Sequence, residues 1–114
     1  MRKLFILAIS VMALASCQTQ KSLYSWYDSE DATYKYTKRG TEETLTKAMA
    51  QYEKVIAKQK GTRKVVPPGV NAEYGFLLYK AGKKEEGLTL LRAEIKAYPE
   101  SEKFISRIIN QLEK

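Results

Sequence analysis

Glycine and proline divide most of the chain into short segments, and this division restricts the fold more than any other sequence feature. Gly40, Gly61, Gly82 and Pro99 each follow a segment with helical apolar spacing, and Pro67-Pro68 cannot lie inside a helix. No segment shows the sustained alternation of apolar and polar residues that indicates a strand. The sequence therefore predicts an all-α fold.

Start signals and apolar spacing place the individual helices. About five are predicted, at residues 28–40, 41–61, 70–81, 84–98 and from 101 onward. Asp28, Thr41 and Ser101 have side-chain oxygens that can accept the first free N–H groups of a helix. The residues predicted to face inward are Leu45, Ala48, Met49, Tyr52, Val55, Ile56, Leu88, Leu91, Ile95, Phe104, Ile105, Ile108, Ile109 and Leu112.

The first 16 residues have the order of a secretory signal. Arg2 and Lys3 form a positive segment, and Leu4–Ala13 form an apolar segment that is too short to cross a membrane, which takes about 20 apolar residues. Leu14-Ala15-Ser16-Cys17 follows and resembles the lipobox of bacterial lipoproteins. The alternative is an ordinary signal that ends near a buried Cys, but all three parts agree in order and spacing.

The lipobox resemblance implies a lipid anchor. In that family the signal is cleaved between Ser16 and Cys17, diacylglycerol is attached to the Cys thiol, and the new amine is acylated. Gln18, where an Asp would retain the protein in the inner membrane, implies the outer membrane, facing the periplasm. The chain would then comprise a signal peptide at 1–16, the lipidated Cys and a short tether at 17–23, and a helical domain at 24–114.

The third and fourth predicted helices resemble a tetratricopeptide (TPR) repeat. The repeat has a small residue in each of its two helices, and here these are Gly75 and Gly87. It also has a glycine in the turn, a large apolar residue in the second helix and a proline at the end, and these places hold Gly82, Leu91 and Pro99. Asn71 and Glu94 depart from the pattern, in places usually held by an aromatic residue and an alanine. The first two helices look like a degenerate earlier repeat. The resemblance implies TPR-like hairpins and a C-terminal capping helix.

Residues 23–109 as a whole resemble a bacterial lipoprotein family known only as domain of unknown function 4810. The resemblance rests on Leu23-Tyr-Ser-Trp26, Tyr34-Lys-Tyr36, Val66-Pro-Pro-Gly69 and Tyr98-Pro-Glu-Ser101. Members are often encoded beside a CsgG-like lipoprotein, which implies a shared complex in the cell envelope. The family supplies no activity.

Composition narrows the chemistry open to the chain. One Cys and no His among 114 residues leave no internal disulfide, no usual general base and none of the commonest metal ligand. Most carboxylates stand in first helical turns, where the helix dipole accounts for them. We therefore expect no enzyme, no metal and no cofactor beyond the covalent lipid. The formal net charge is +7, but an exported chain is not expected to meet nucleic acid.

One candidate site follows from the TPR resemblance. In TPR proteins the first helix of each hairpin lines a groove for a partner protein, and the matching positions are Ala72, Phe76, Tyr79 and Lys80. An equally supported alternative is that Phe76 and Tyr79 pack on a neighbouring helix.

A second candidate site is the basic loop of Lys58, Lys60, Arg63 and Lys64. It suits anionic headgroups, phosphate or an acidic protein surface, although a solvated loop is the favoured alternative. The aromatic residues Tyr24, Trp26, Tyr27, Tyr34 and Tyr36 suit either a membrane interface or the core, and core packing is favoured.

Taken together, these features predict a lipid-anchored, non-catalytic interaction scaffold in an envelope complex, with a CsgG-like lipoprotein as the candidate partner and self-association left open. The alternative is a membrane-surface or cell-wall lipoprotein that binds anionic headgroups or glycan through the basic loop.

Overall fold

The computed structural model describes residues 1–15 and 21–114 of the chain, and all regular structure in that part is helical. The helices are α1 (Arg2–Ala15), α2 (Ser29–Arg39), α3 (Glu42–Ala57), α4 (Val70–Lys80), α5 (Lys84–Ala97) and α6 (Glu102–Leu112), with a short 3₁₀ helix at Pro99–Ser101. The predicted all-α fold is confirmed. In this part of the chain no helix is long and apolar enough to span a bilayer. The predicted cleavage and lipidation positions, Ser16 and Cys17, lie outside the described residues.

The first hairpin joins α2 to α3 at Gly40. This glycine has a φ of +63°, and its N–H donates to the Tyr36 carbonyl at 2.8 Å, which ends α2 in the left-handed turn that glycine favours. Thr41 caps α3 as predicted, because its hydroxyl accepts from Thr44 N–H while the Thr44 hydroxyl accepts from Thr41 N–H. The prediction for Asp28 is wrong in one respect: it precedes α2, but its side chain accepts no hydrogen bond from that helix.

The end of α3 differs from the prediction. The helix stops at Ala57 rather than Gly61. The side-chain amide of Gln59 turns back, donating to the carbonyls of Val55 at 2.7 Å and Ser25 at 2.8 Å. A free carbonyl near the helix end is thereby satisfied by a side chain, and the chain leaves the helix earlier than its glycine.

The second hairpin joins α4 to α5 at Gly82, which has a φ of +96°. The two helices cross where Gly75 meets Gly87. A Cβ atom on Gly75 would lie 2.6 Å from the Gly87 carbonyl oxygen, and one on Gly87 would lie 2.5 Å from the Gly75 oxygen. The two small-residue positions of the TPR resemblance are therefore the point where the helices approach most closely.

Two apolar clusters hold the helices together. The first packs Tyr52 and Val55 of α3 against Val70, Tyr74 and Leu78 of α4, and so joins the two hairpins. The second consists of Leu88, Leu91 and Ile105, with Ala72, Tyr79, Ile95, Ile108, Ile109 and Leu112 packed around it. Every member of both clusters lies between Tyr27 and Leu112, and none of the described side chains of α1 belongs to either.

The capping helix α6 differs from the prediction at its start and on one face. The Ser101 hydroxyl donates to the Tyr98 carbonyl at 2.7 Å instead of capping α6, because a 3₁₀ turn intervenes. Ile105 is buried as predicted, but Phe104 is 67% exposed. Its neighbour in sequence fills the core position and leaves Phe104 on the surface.

Candidate functional site

Three neighbouring clefts run along the surface formed by α2, α4 and α6. Their volumes are about 310, 210 and 410 Å³. Glu73 of α4 lines all three, so they form one continuous surface, which we call the cleft surface. Its main exposed or charged residues are Trp26, Glu30, Glu73, Phe76, Glu100 and Phe104.

Aromatic side chains along the cleft surface are open to solvent. Trp26 is 38% exposed, Phe76 40% and Phe104 67%. Each stands on a different part of the surface: Trp26 just before α2, Phe76 on α4 and Phe104 on α6. Exposed aromatic residues spaced along a cleft are typical anchors for a protein partner.

The cleft surface is acidic, in contrast to the basic chain as a whole. The described residues that line the three clefts include four glutamates (Glu30, Glu73, Glu94 and Glu100) and no lysine or arginine. The formal net charge of the chain is +7. This separation of charge favours a partner segment that carries basic and apolar side chains.

Glu94 accounts for the TPR departure noted in the sequence. It is 3% exposed, and its Oε1 accepts a hydrogen bond from Gly69 N–H at 2.7 Å at the start of α4. Its Oε2 has no hydrogen-bond partner among the described residues. A carboxylate here attaches the 61–69 loop to α5, which an alanine could not do.

Tyrosine hydroxyls fix the wall of the cleft surface between α3 and α4. Tyr52 donates to Glu73, Tyr74 donates to Glu53 at 2.6 Å, and the two rings stack with centroids 6.0 Å apart. Burial, followed by the bond to Glu73, raises the pKa of Tyr52 to about 12. Burial, followed by the bond to Glu53, also raises the pKa of Tyr74. Both phenols therefore stay protonated as donors at neutral pH.

The structure divides the predicted groove residues into two sets. Phe76 is exposed and lines a cleft beside α2, and Ala72 lines the cleft beside α6. Tyr79 is half-buried in the second apolar cluster, and its hydroxyl donates to the Leu112 carbonyl at 2.8 Å, so it packs on the neighbouring helix. Lys80 is exposed but lines none of these clefts.

The predicted basic loop is exposed at all four positions, Lys58, Lys60, Arg63 and Lys64. It packs directly against the segment at residues 22–25. Thr62 and Arg63 donate their N–H groups to the carbonyls of Ser22 and Leu23, at 3.1 and 3.2 Å.

The N-terminal aromatic residues divide between the core and the surface. Tyr27 packs on the first apolar cluster, and its hydroxyl donates to the Lys58 carbonyl. Tyr24 and Trp26 contact each other edge to face at 6.1 Å, and Trp26 remains partly exposed. Tyr34 is 62% exposed, with the Lys38 ammonium 5.8 Å from its ring centre. Core packing, the favoured expectation, is wrong for Tyr34 and Trp26.

Sequence reasoning missed Glu73, Glu100 and Phe104 as members of one surface. Helical periodicity could have placed Glu73 beside Phe76 on α4, three residues apart. No local sequence pattern predicts that Glu100 and Phe104 lie opposite α4. Their position depends on the direction in which α6 leaves the 3₁₀ turn. In the described part of the chain no three His, Cys, Asp or Glu side chains are placed to hold a metal ion.

One comparison with known proteins is positive. A family model described as a domain of unknown function (DUF4810) matches residues 23–108. No curated protein and no solved structure matches significantly.

Proposed function

The chain belongs to the DUF4810 family, and from that premise we propose that it is a lipid-anchored envelope lipoprotein that acts as a non-catalytic protein-interaction module. Residues 1–16 would be its signal, and Cys17 would carry the lipid. Gln18 after the Cys favours the outer membrane, with the domain facing the periplasm.

The surroundings of α1 support a removable signal. Its described apolar side chains are 59–74% exposed at Leu4, Phe5, Ile6, Leu7 and Ile9. None of them belongs to either apolar cluster. Removing the described part of α1 would leave both apolar clusters intact, which supports a cleavable targeting segment.

The observation that carries the interaction role is the set of exposed aromatic residues on an acidic cleft surface. Burying Phe76, Trp26 and Phe104 in a partner would remove apolar area from water, at about 25 cal/mol per Å². Glutamates beside them would pair with basic side chains of the partner. A CsgG-like lipoprotein is the proposed partner, from the family resemblance.

Two polar groups of the cleft surface, on Tyr52 and Glu94, have structural roles, which supports a non-catalytic function. The Tyr52 hydroxyl and one Glu94 oxygen are engaged in bonds that hold helices together. A catalytic acid or base would have to be free to reach a substrate atom. The chain also has no His among its 114 residues.

The experiment is photo-crosslinking in living cells, with a photoreactive residue at Phe76 and a control at Thr89. Thr89 is exposed on α5, and it lines none of the three clefts. A discrete protein adduct is expected from Phe76 and not from Thr89. Glu30→Lys should weaken the Phe76 adduct several-fold, because it reverses the charge that would meet a basic partner.

The same strains test the anchor. The parent chain should incorporate labelled palmitate and Cys17→Ser should not, because the variant lacks the thiol that would receive the lipid. Equal adducts from Phe76 and Thr89, or none from either, would contradict the interaction role. No labelling of the parent, or equal labelling of the parent and Cys17→Ser, would contradict the lipid anchor.

A further inference from the structure

The segment that follows the proposed tether is fastened to the basic loop. Ser25 N–H donates to Gln59 Oε1 at 3.0 Å, and Gln59 Nε2 returns a bond to the Ser25 carbonyl at 2.8 Å. Lys60 N–H donates to the Ser25 hydroxyl at 3.0 Å. Gly61 is buried here, and a Cβ on it would lie 2.3 Å from the Leu23 carbonyl oxygen. We call this set of contacts, between residues 22–25 and 59–63, the latch.

The latch places basic side chains next to the residues that lead to Cys17. The resulting surface, called here the anchor-side surface, consists of Lys21, Leu23, Lys58, Lys60, Arg63 and Lys64, all exposed. The ion pairs found in the described part of the chain are Lys35–Asp31 and Lys47–Glu43, both elsewhere. The cations of the anchor-side surface are thus not neutralised by carboxylates within 4.0 Å.

Apolar and aromatic side chains border these cations. Leu23 is 57% exposed and Val65 47%. The Arg63 guanidinium lies 5.8 Å from the centre of the Tyr24 ring, which itself contacts Trp26. Cations surrounded by exposed aliphatic and aromatic groups suit the interface between water and lipid, where charges meet phosphates and rings meet the headgroup region.

The covalent reach of the tether restricts where this surface can be. From Cys17 to Ser22 the chain has five residue steps, or at most ~18 Å at ~3.5 Å each. That distance is about two Debye lengths at physiological ionic strength. A lipid on Cys17 would therefore hold the anchor-side surface no farther than this from the bilayer, and a tether that spans half the distance places it within about one Debye length, where the attraction acts.

We propose that the anchor-side surface docks on the anionic phospholipid headgroups of the membrane that holds the chain, and so fixes the orientation of the domain. This orientation rests on the proposed lipid anchor, whereas the headgroup contact itself does not. The chain leaves the latch through α2, returns to it through α3 and leaves it again through α4. The turns at Gly40 and Gly82 therefore lie at the end away from the bilayer. The cleft surface then runs outward from the membrane, open to a partner from the side.

The contact is tested with residues 21–114, which contain both apolar clusters and the latch but not α1 or the lipid. Flotation is measured with vesicles of phosphatidylcholine alone and of phosphatidylcholine with phosphatidylglycerol. Binding is expected only with phosphatidylglycerol, and it should fall steeply with added salt. Lys58→Gln with Lys60→Gln should weaken it about 25-fold, since each lysine near an anionic surface contributes a factor of about five.

The matched control is Lys38→Gln with Lys83→Gln, which removes the same charge from exposed positions at the opposite end of the hairpins. It should change binding less than about twofold. Trp26 is the only tryptophan, so its fluorescence reports the contact through quenching by brominated lipid.

The outcomes separate this proposal from the anchor. Equal weakening by both double variants would assign binding to net charge and overturn the proposal. Folded protein that does not bind phosphatidylglycerol vesicles would also overturn it. An acidic protein would then be the better candidate ligand of the basic loop. Neither result would bear on whether Cys17 carries lipid, which is decided by palmitate labelling of the parent and Cys17→Ser.

Discussion

The two hairpins are built in different ways. In the second, α4 and α5 meet backbone to backbone at Gly75 and Gly87, where no side chain fits between them. In the first, α2 and α3 meet through side chains: Ala32 and Ala48 are buried, and the hydroxyl of Thr33 lies 3.0 Å from that of Tyr52. The same helix–turn–helix topology is thus held by close packing in one case and by small and polar side chains in the other.

This difference determines which amino-acid substitutions each hairpin tolerates. A backbone contact cannot adjust to an added atom, because both partners are fixed by helical hydrogen bonds. A side-chain contact can change rotamer, and its loss removes one interaction at a time. The second hairpin should therefore be sensitive to single atoms, and the first to the loss of individual hydrogen bonds.

The largest expected effect is that of Gly87→Ala. The new Cβ would lie 2.5 Å from the Gly75 oxygen and 2.7 Å from Tyr79 N, both backbone atoms. We expect the free energy of unfolding to fall by about 3 kcal/mol. Gly40→Ala is the matched control in the first hairpin: nothing lies within 4 Å of its Cβ, and only the φ of +63° is unfavourable, at about 1 kcal/mol. Urea unfolding followed by circular dichroism measures both, and equal costs would contradict the close crossing.

An intermediate effect is expected at alkaline pH, where Tyr52 titrates. This residue belongs to the joint between the two hairpins, the contact of α3 with α4. The pKa of Tyr52 is raised from 10.0 to about 12 in the folded chain. The folded state therefore keeps a proton that the unfolded chain loses. The contribution of Tyr52 to stability is fully present below pH 10 and is lost between pH 10 and 12. The slope should reach about 1.4 kcal/mol per pH unit for this residue.

Tyr52→Phe removes the titrating group and tests the assignment. The variant should lose stability less steeply between pH 10 and 12, by about one proton in the pH dependence of the urea midpoint. Tyr98 is the reference group: its pKa is also raised to about 12, chiefly by burial, but it lies outside this joint and should titrate unchanged. An unaltered slope in Tyr52→Phe would show that other groups govern alkaline unfolding.

The smallest expected effect concerns the start of the second helix in each hairpin. Thr41→Ala breaks the reciprocal bonds with Thr44 at the start of α3 and should cost about 1 kcal/mol. Lys83 holds the matching position before α5, and its side chain makes no capping bond. Lys83→Ala should therefore stay within about 0.5 kcal/mol of the parent. An equal loss of unfolding free energy in Thr41→Ala and Lys83→Ala would show that helix capping does not distinguish the two hairpins.

Local signals in the sequence were sufficient for most of the fold. Gly40 and Gly82 predicted the two turns because a left-handed residue after a helix favours glycine. The TPR resemblance assigned small residues to Gly75 and Gly87, where the helices cross. The end of α3 was misplaced because the residue that ends it, Gln59, binds Ser25, 34 positions earlier. A contact between residues so far apart in sequence cannot be predicted from the local spacing of apolar and glycine residues.

The candidate surfaces were less accessible to prediction. Phe76 was identified from its repeat position, whereas Tyr79 from the same pattern turned out to pack on α6. Which of the two stays exposed depends on where the capping helix lies, and that follows from the 3₁₀ turn at Pro99–Ser101. The basic loop was visible in the sequence, but its attachment to the segment beside Cys17 was not.

The latch also bears on the order in which the chain folds. Each hairpin joins helices that are adjacent in sequence, so its contact order is low and its closure is expected to be fast. Ser25 and Gln59 are separated by 34 positions and can meet only after α2 and α3 have paired. The anchor-side surface is therefore expected to assemble last and to open first in hydrogen exchange. An exported chain would gain its membrane-facing surface only once its first hairpin is complete.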